Sequence, residues 1–234
     1  MIFKDVIEFA CHENLYGAIP EPKPANKFLP EWYKKIKPYC GRDKLKFPIR
    51  TVKKCMPVLD AMSLGYIIPL PTDIHFITNH DLSYIKGTVR TGEGQFGTPE
   101  RHEFRQIESQ KWPINNQDPI KLINPWYIKT KPGWSCYITA PVNHFGCPFT
   151  IMSGVVDTDK YQSLIQFPAI WNIPNFDDTL LAGMPMAQVI PFKRNKQDVV
   201  CRALTEKESK NIEKTNIMLG SRADCYKNSI RAER

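Results

Sequence analysis

The sequence predicts a mainly β protein, an antiparallel β-sandwich or barrel with a few short helices and a C-terminal helix. Twenty prolines against twelve glycines indicate many short elements joined by rigid turns. The β runs of the second half follow one another with no segment of helical period between them, which excludes an alternating βαβ fold. The sequence Thr205-Glu206-Lys207-Glu208 then forms a capping box, which predicts that the last helix begins there.

The 234 residues (27.0 kDa) suffice for one domain with a sizeable core, and we expect a single domain over 1–234. The sequence divides it into an extended proline-rich basic arm packed on the domain, a β core and a C-terminal helical segment: 1–54, 55–204 and 205–234. No apolar run approaches the roughly 18 residues of a membrane span, so we expect a soluble intracellular protein without a membrane partner. Seven cysteines without a Cys-x-x-Cys pair argue against a disulfide framework and a structural zinc site.

The N-terminal arm concentrates the positive charge. Residues 23–54 hold eleven Lys/Arg against Glu31 and Asp43 only, within a chain of net charge +8. Four aromatic side chains are interleaved with these cations: Phe28, Trp32, Tyr33 and Tyr39. Such a segment is able to bind nucleic acid, and the alternative is a solvated, loop-rich segment whose aromatic side chains pin it onto the domain.

The elements of the first half alternate short strands with short helices. IFKDVIEF (2–9) predicts the first strand, 18–30 is too proline-rich for regular structure, and PEWYKKI predicts a helix with Pro30 at its first position. Residues 52–64 predict a second helix that Gly65 stops. YIIPLP, DIHFITN and DLSYIKGTV predict strands, the last two as hairpin partners, whereas the polar stretch 87–119 predicts a long excursion.

The second half predicts strands almost throughout. PWYIKTKPGWSCYITAP contains two β runs joined at Lys131-Pro132-Gly133, a turn typical of hairpins. The further predicted strands are FTIMSGVVD, SLIQFPAIWN, MAQVIPFKR and DVVCRALT. We also expect Gly154 to lie where a side chain would clash or where the chain turns sharply.

Residues 153–161, SGVVDTDKY, are the stretch that most resembles a catalytic motif, because two acids follow a strand and precede a tyrosine. The chain offers no other candidate of comparable strength. It lacks a nucleophile elbow and a phosphate-binding loop, and the grouping of His75, His80 and Asp81 is explained by a turn without a metal. We therefore predict no metal site.

Four segments in order, KPGWSCYITAP, SGVVDTDKY, SLIQFPAIWN and AGMPMAQVIPF, resemble the all-β dUTPase and dCTP-deaminase superfamily. The resemblance covers 128–193 and implies a dUTPase-like, β-clip or jelly-roll arrangement. It implies that Asp157 orients the attacking water and that Tyr161 stacks under a sugar, with Asp157 and Asp159 able to hold Mg²⁺. The phosphate-binding Arg-Ser pair of that superfamily is replaced by Val142-Asn143, which removes the positive charge that a triphosphate needs.

The layout of the whole chain is similar to an uncharacterised family of marine cyanophages with contractile tails. The similarity is carried by LPEWYKKI, TVKKCMPVLDAMSLGYII, INPWYIKTKPGWSCYITAPVN, FTIMSGVVDTD and GMPMAQVIPFKR. It implies a phage product, located in the virion or in the host cytoplasm, whose partners are other phage or host proteins in an oligomeric assembly.

Two functional hypotheses follow. The first is a non-catalytic binding or structural protein that contacts other proteins through its β core and loops, without a catalytic residue or cofactor, and with Trp126, Trp134, Asn143 and Tyr161 as binding residues. The alternative is a nucleotide-binding or nucleotide-hydrolysing protein that uses Asp157, Asp159 and Tyr161, with Mg²⁺. The loss of the phosphate-binding pair favours the first hypothesis.

Overall fold

The computed structural model describes residues 7–43, 46–89, 97–101, 119–196, 198–221 and 224–232. The predicted fold class is confirmed over these residues, because strands outnumber helices and every strand pair is antiparallel. The chain divides into a larger unit, Met1–Pro30 with Met62–Arg194, and a smaller unit, Glu31–Ala61 with Asn195–Arg234. The predicted boundaries after 54 and after 204 stay predictions.

The strands are short, as the many prolines predict. In chain order the described strands are β1 (Ile7–Ala10), β2 (Lys23–Pro24), β3 (Tyr39–Arg42), β4 (Pro48–Arg50), β5 (Tyr66–Pro69), β6 (Ile74–Thr78), β7 (Ile85–Val89), β8 (Glu100–Arg101), β9 (Ile120–Leu122), β10 (Tyr127–Thr130), β11 (Trp134–Thr139), β12 (Phe149–Ile151), β13 (Gly154–Val156), β14 (Phe167–Trp171), β15 (Asp177–Leu180) and β16 (Pro185–Lys193). The described α-helices are α1 (Glu31–Lys35), α2 (Met56–Ser63) and α3 (Glu206–Ser221), and a π-helical turn covers Tyr226–Ile230.

The larger unit is built from four open sheets. Their strand orders are β13-β11-β16-β5-β2, β12-β14-β9-β8, β15-β6-β7 and β1-β10. None of these described sheets closes on itself, so the structure favours layered sheets over the barrel alternative. The predicted pairing of DIHFITN with DLSYIKGTV is confirmed by the β6–β7 ladder.

One continuous core joins these sheets, and aromatic rings occupy its centre. The ring of Trp171 lies 4.5 Å from that of Phe76 and 6.4 Å from that of Phe149, centroid to centroid, and all three side chains are buried. Buried residues alternate along β14 with less buried ones, which is the period of two that a strand with one core-facing side requires. Burial of these apolar side chains is the main favourable contribution to folding.

Two strand predictions are corrected. The runs on either side of Lys131-Pro132-Gly133 are strands β10 and β11, but they do not pair with each other: β10 pairs with β1, and β11 pairs with β13 and β16. The turn therefore carries the chain from one sheet to another rather than closing a hairpin. DVVCRALT (198–205) forms no strand, because its residues lie exposed without a ladder partner in the described structure.

Of the two alternatives expected for Gly154, a side-chain clash or a sharp turn of the chain, the clash is wrong. Gly154 is the first residue of β13, and a Cβ built there meets no atom within 4 Å. The close approach occurs instead at Gly65, where φ is +69° and a Cβ would lie 2.2 Å from the Val189 carbonyl oxygen. Most of the predicted excursion 87–119, and the start of the predicted strand 2–9, lie outside the described residues.

The smaller unit contains α1, the β3–β4 hairpin and α3. The predicted capping box is present, since the Glu208 amide donates to Thr205 Oγ1 and the Thr205 amide donates to a Glu208 carboxylate oxygen. Arg231 is within 2.6 Å of the buried Asp60 carboxylate, which ties the end of the chain to α2. No described helix combines the length and the apolar character that crossing a membrane requires.

Candidate functional site

Residues 157–161 form a tight turn directly after β13, the edge strand of the described sheet. We call this turn the acidic corner. The amides of Lys160 and Tyr161 both donate to the Asp157 carbonyl oxygen at 2.9 Å, which closes the turn. Asp157 therefore begins the turn, and Asp159 lies within it. The two carboxylates contact the start of β11 and Arg194, which directly follows β16.

Arg194 faces the corner acids. Its Nη1 lies 2.8 Å from Asp159 Oδ1, and its Nη2 pairs with the second oxygen of the same carboxylate, so the contact is bidentate. The Gly133 amide donates to Asp159 Oδ2 at 2.8 Å, and the Asp159 side chain is only 5% exposed. The hydrogen bond from Arg194 is the main reason that the pKa of Asp159 is lowered to about 2, and the Gly133 amide adds to it.

Asp157 has a more open position in the same cluster. Its Oδ1 accepts from Ser135 Oγ at 2.6 Å and lies 3.2 Å from Arg194 Nη1, while 55% of its side chain is exposed. We call Asp157, Asp159, Arg194, Ser135 and Gly133 the corner clasp. The clasp joins the ends of β11, β13 and β16.

Sequence reasoning missed Arg194. The register pairs Trp134 with Lys193, so the next residue lies beside the Lys131–Gly133 turn, and the Arg194 amide donates to the Gly133 carbonyl oxygen at 2.8 Å. The signal was the arginine at the last position of the predicted strand MAQVIPFKR (186–194). It could be interpreted only with the pairing of three strands known, because 35 residues separate Asp159 from Arg194.

Beneath the clasp the interior is filled by neutral hydroxyl and thiol groups. Thr130 Oγ1 and Thr158 Oγ1 lie 2.7 Å apart, both residues are buried, and Thr158 Oγ1 lies 3.3 Å from Cys136 Sγ. Burial raises the pKa of the Cys136 thiol, and the Thr158 hydroxyl opposes that rise. The thiol therefore stays protonated and supplies no nucleophile at neutral pH.

The predicted binding residues do not form one site. Trp134 contributes its carbonyl oxygen to the clasp, 2.9 Å from Arg194 Nη1, and Tyr161 closes the corner with 45% of its surface exposed. Trp126 is buried in the core, where its Nε1 has no hydrogen-bond partner within the described structure. Asn143 lies instead beside a separate pocket.

That pocket has a volume of about 270 Å³ and lies between the end of β11 and β12. Asn143, His144, Phe145 and Asn172 contribute to its wall, and none of the described lining residues is Lys, Arg, Asp or Glu. Next to it, the Val142 amide donates to Gln188 Oε1 at 2.8 Å, which ties this loop to the core. The segment Val142-Asn143 therefore brings no lysine or arginine to the pocket.

The outer face of the five-stranded sheet carries apolar side chains beside the clasp. Tyr137 pairs with Val155 on one side and with Ile190 on the other, and Phe192 follows two residues along β16. Tyr137, Val155 and Phe192 are 38%, 61% and 36% exposed, whereas the neighbours of Tyr137 along β11, Cys136 and Ile138, face the core. We call Tyr137, Val155, Ile190 and Phe192 the outer stripe. It runs to β13, which is the edge of the described sheet.

The described residues include no cluster of three or more His, Cys, Asp or Glu side chains arranged to hold a metal ion. His75, one of the candidates noted in the sequence, has its Nε2 3.0 Å from Asp177 Oδ1 and its Nδ1 3.2 Å from Thr179 Oγ1. At the corner, both oxygens of Asp159 and one of Asp157 already contact Arg194. A divalent cation held by these two carboxylates would have to displace the guanidinium.

Comparison of the chain with protein-family models, with curated proteins and with solved structures finds no match.

Proposed function

We propose that the protein is a non-catalytic binding protein of a larger assembly, and that its outer stripe is covered by another protein. The observation that carries this proposal is the in-register row of exposed apolar side chains that ends at the edge strand β13. Contiguous apolar surface favours burial against a partner, and an edge strand has unpaired backbone groups available to it. Tyrosine and phenylalanine are also enriched where proteins bind each other.

The clasp supports a structural role for the corner acids. A catalytic carboxylate must have a free oxygen directed at a substrate or a water molecule, whereas the Asp159 carboxylate is nearly buried and is shared between Arg194 and the Gly133 amide. We therefore assign the acids of GVVDTD to holding three strand ends together. The half-exposed Asp157 is stabilised in the same cluster through Ser135.

The resemblance to proteins of contractile-tailed cyanophages suggests which assembly the protein joins. We propose that the assembly is the phage particle and that the outer stripe contacts another particle protein. Mass spectrometry of purified particles of the phage that encodes the chain tests this directly, and we expect peptides of the chain at a constant ratio to the known structural proteins.

Surface variants test the outer stripe itself. We expect the double variant Tyr137→Ser/Val155→Ser to fold but to be lost from purified particles, because it removes apolar area that the partner covers. The control is Ile77→Ser/Leu181→Ser, which replaces two side chains of closely similar exposure, 40% and 63%, away from the stripe. Absence of the wild-type chain from particles, or equal incorporation of both variants, would overturn the proposal.

A further inference from the structure

The net positive charge of the protein is concentrated in the smaller unit. Glu31–Ala61 and Asn195–Arg234 together hold 18 Lys/Arg and 9 Asp/Glu, so the unit carries a net charge of +9. The larger unit, with 14 basic and 15 acidic residues, is close to neutral. Between residues 32 and 59 nine Lys/Arg accompany a single acid, Asp43. This concentration of charge indicates a surface for a polyanion.

The β3–β4 hairpin presents that charge to solvent. All seven of its strand residues are exposed, and its ladder pairs Tyr39 with Arg50 and Arg42 with Pro48. Asp43 shapes the turn, since its Oδ1 accepts from the Phe47 amide at 2.8 Å. Asp43 is the one acid against nine Lys/Arg between residues 32 and 59, so this stretch keeps a net charge of +8.

Several cations in and beside the hairpin have no acidic partner among the residues that the structure describes. Lys37, Arg42, Lys46 and Arg50 are exposed and form no ion pair within the described part of the chain. Lys54, in contrast, lies 3.1 Å from Asp224 and 5.3 Å from the centroid of the Tyr39 ring. That contact, with the bond from the Thr51 amide to the Pro38 carbonyl oxygen (3.0 Å), fixes the base of the hairpin.

Exposed aromatic and apolar side chains alternate with these cations along the sequence of the hairpin. Tyr39 is 39% exposed, Phe47 64% and Ile49 44%. A two-stranded hairpin without a covered face is marginally stable by itself, and exposing Phe47 to water is unfavourable. Both features are explained if the hairpin has a ligand that supplies phosphates and flat apolar rings at the same time.

We infer that the β3–β4 hairpin binds single-stranded nucleic acid. Its cations contact the phosphates, and Phe47 and Tyr39 stack against bases. A duplex keeps its bases inside and gives the rings nothing to stack on. The inference is independent of the outer stripe, which lies on the larger unit.

Fluorescence anisotropy with the full-length protein tests this inference. The probe is a labelled oligothymidylate about 20 nucleotides long, which exceeds the site size of common single-strand-binding folds. At about 50 mM salt we expect binding that weakens as salt rises, with a log–log slope of about −3 for roughly four phosphate contacts. Arg42→Gln/Arg50→Gln should make the slope shallower by about 1.4. Phe47→Ala should weaken binding by about tenfold without changing the slope.

The matched control is Lys86→Gln/Lys129→Gln, which removes the same charge from exposed positions of the larger unit and should change affinity less than twofold. All these side chains are exposed, so thermal unfolding should show the variants folded. The inference is overturned if the oligonucleotide does not bind, if the arginine variant matches the control, or if Phe47→Ala has no effect. It is also overturned if a duplex of the same length binds more tightly than the single strand.

Discussion

At the scale of single residues, the corner clasp makes the stability of the protein depend on the charge of Asp159. Arg194 and the Gly133 amide hold the pKa of Asp159 at about 2 in the folded protein, whereas an unfolded chain has an aspartate pKa of about 3.9. A pKa that is lower in the folded state means that the ionised carboxylate stabilises folding. The stabilisation is complete above about pH 4 to 5 and is lost as pH falls through about 2.

Asp159→Asn should therefore lower the free energy of unfolding at pH 7, and the difference from wild type should shrink between about pH 4 and pH 2. Urea unfolding at a series of pH values measures this. Asp157→Asn is the comparison variant and should have the smaller effect at neutral pH, because Asp157 is half exposed. An Asp159→Asn effect that stayed constant down to pH 2 would show that the Arg194 contact does not form.

At the scale of elements, Gly65 and Gly154 each border a strand but differ in whether a side chain would fit. Gly65 precedes β5 with a positive φ, and the Val189 carbonyl oxygen occupies the place of a Cβ, whereas Gly154 begins β13 in open space. Gly65→Ala should lower the free energy of unfolding by at least about 2 kcal/mol, because the strands must separate or the backbone must change conformation. Gly154→Ala should stay within about 0.5 kcal/mol.

Urea denaturation of the two variants side by side provides the measurement, and each variant is the control for the other. Equal losses for both would contradict the register between β5 and β16 from which the contact at Gly65 follows.

The strands themselves were largely predictable, since local alternation and turn residues determine where a strand begins and ends. Their partners were not. Lys131-Pro132-Gly133 correctly indicated a turn, yet the sequence could not show that β10 and β11 enter different sheets, because that depends on strands far apart in the chain. Likewise Val199 and Val200 resembled a strand, but no ladder partner is present for them in the described structure.

At the scale of the whole molecule, the net charge differs between the two units. The larger unit is nearly neutral and bears the outer stripe, and the smaller unit has the net positive charge and the exposed hairpin. The sequence indicated the basic stretch 23–54. It could not show that the C-terminal residues fold into the same unit as most of that stretch and add to its positive charge. Contacts distant in sequence, such as Lys54 with Asp224, bring them together.

The same reasoning explains why the candidate site was only half predictable. The motif GVVDTD pointed to the acids, while their charge partner comes from the end of the last strand and is visible only in the folded chain. The residue pair Val142-Asn143 offers no cation to these acids. The sequence could not show that Arg194 forms ion pairs with both acids.

We propose that the corner acids hold strands together and do not bind a nucleotide. Isothermal titration of dUTP and dCTP, with Mg²⁺, into wild type and Asp157→Asn tests it most directly. We predict no heat that depends on Asp157 at nucleotide concentrations up to about 1 mM. Binding tighter than about 1 mM that Asp157→Asn abolishes would contradict the claim and would make the corner a nucleotide site.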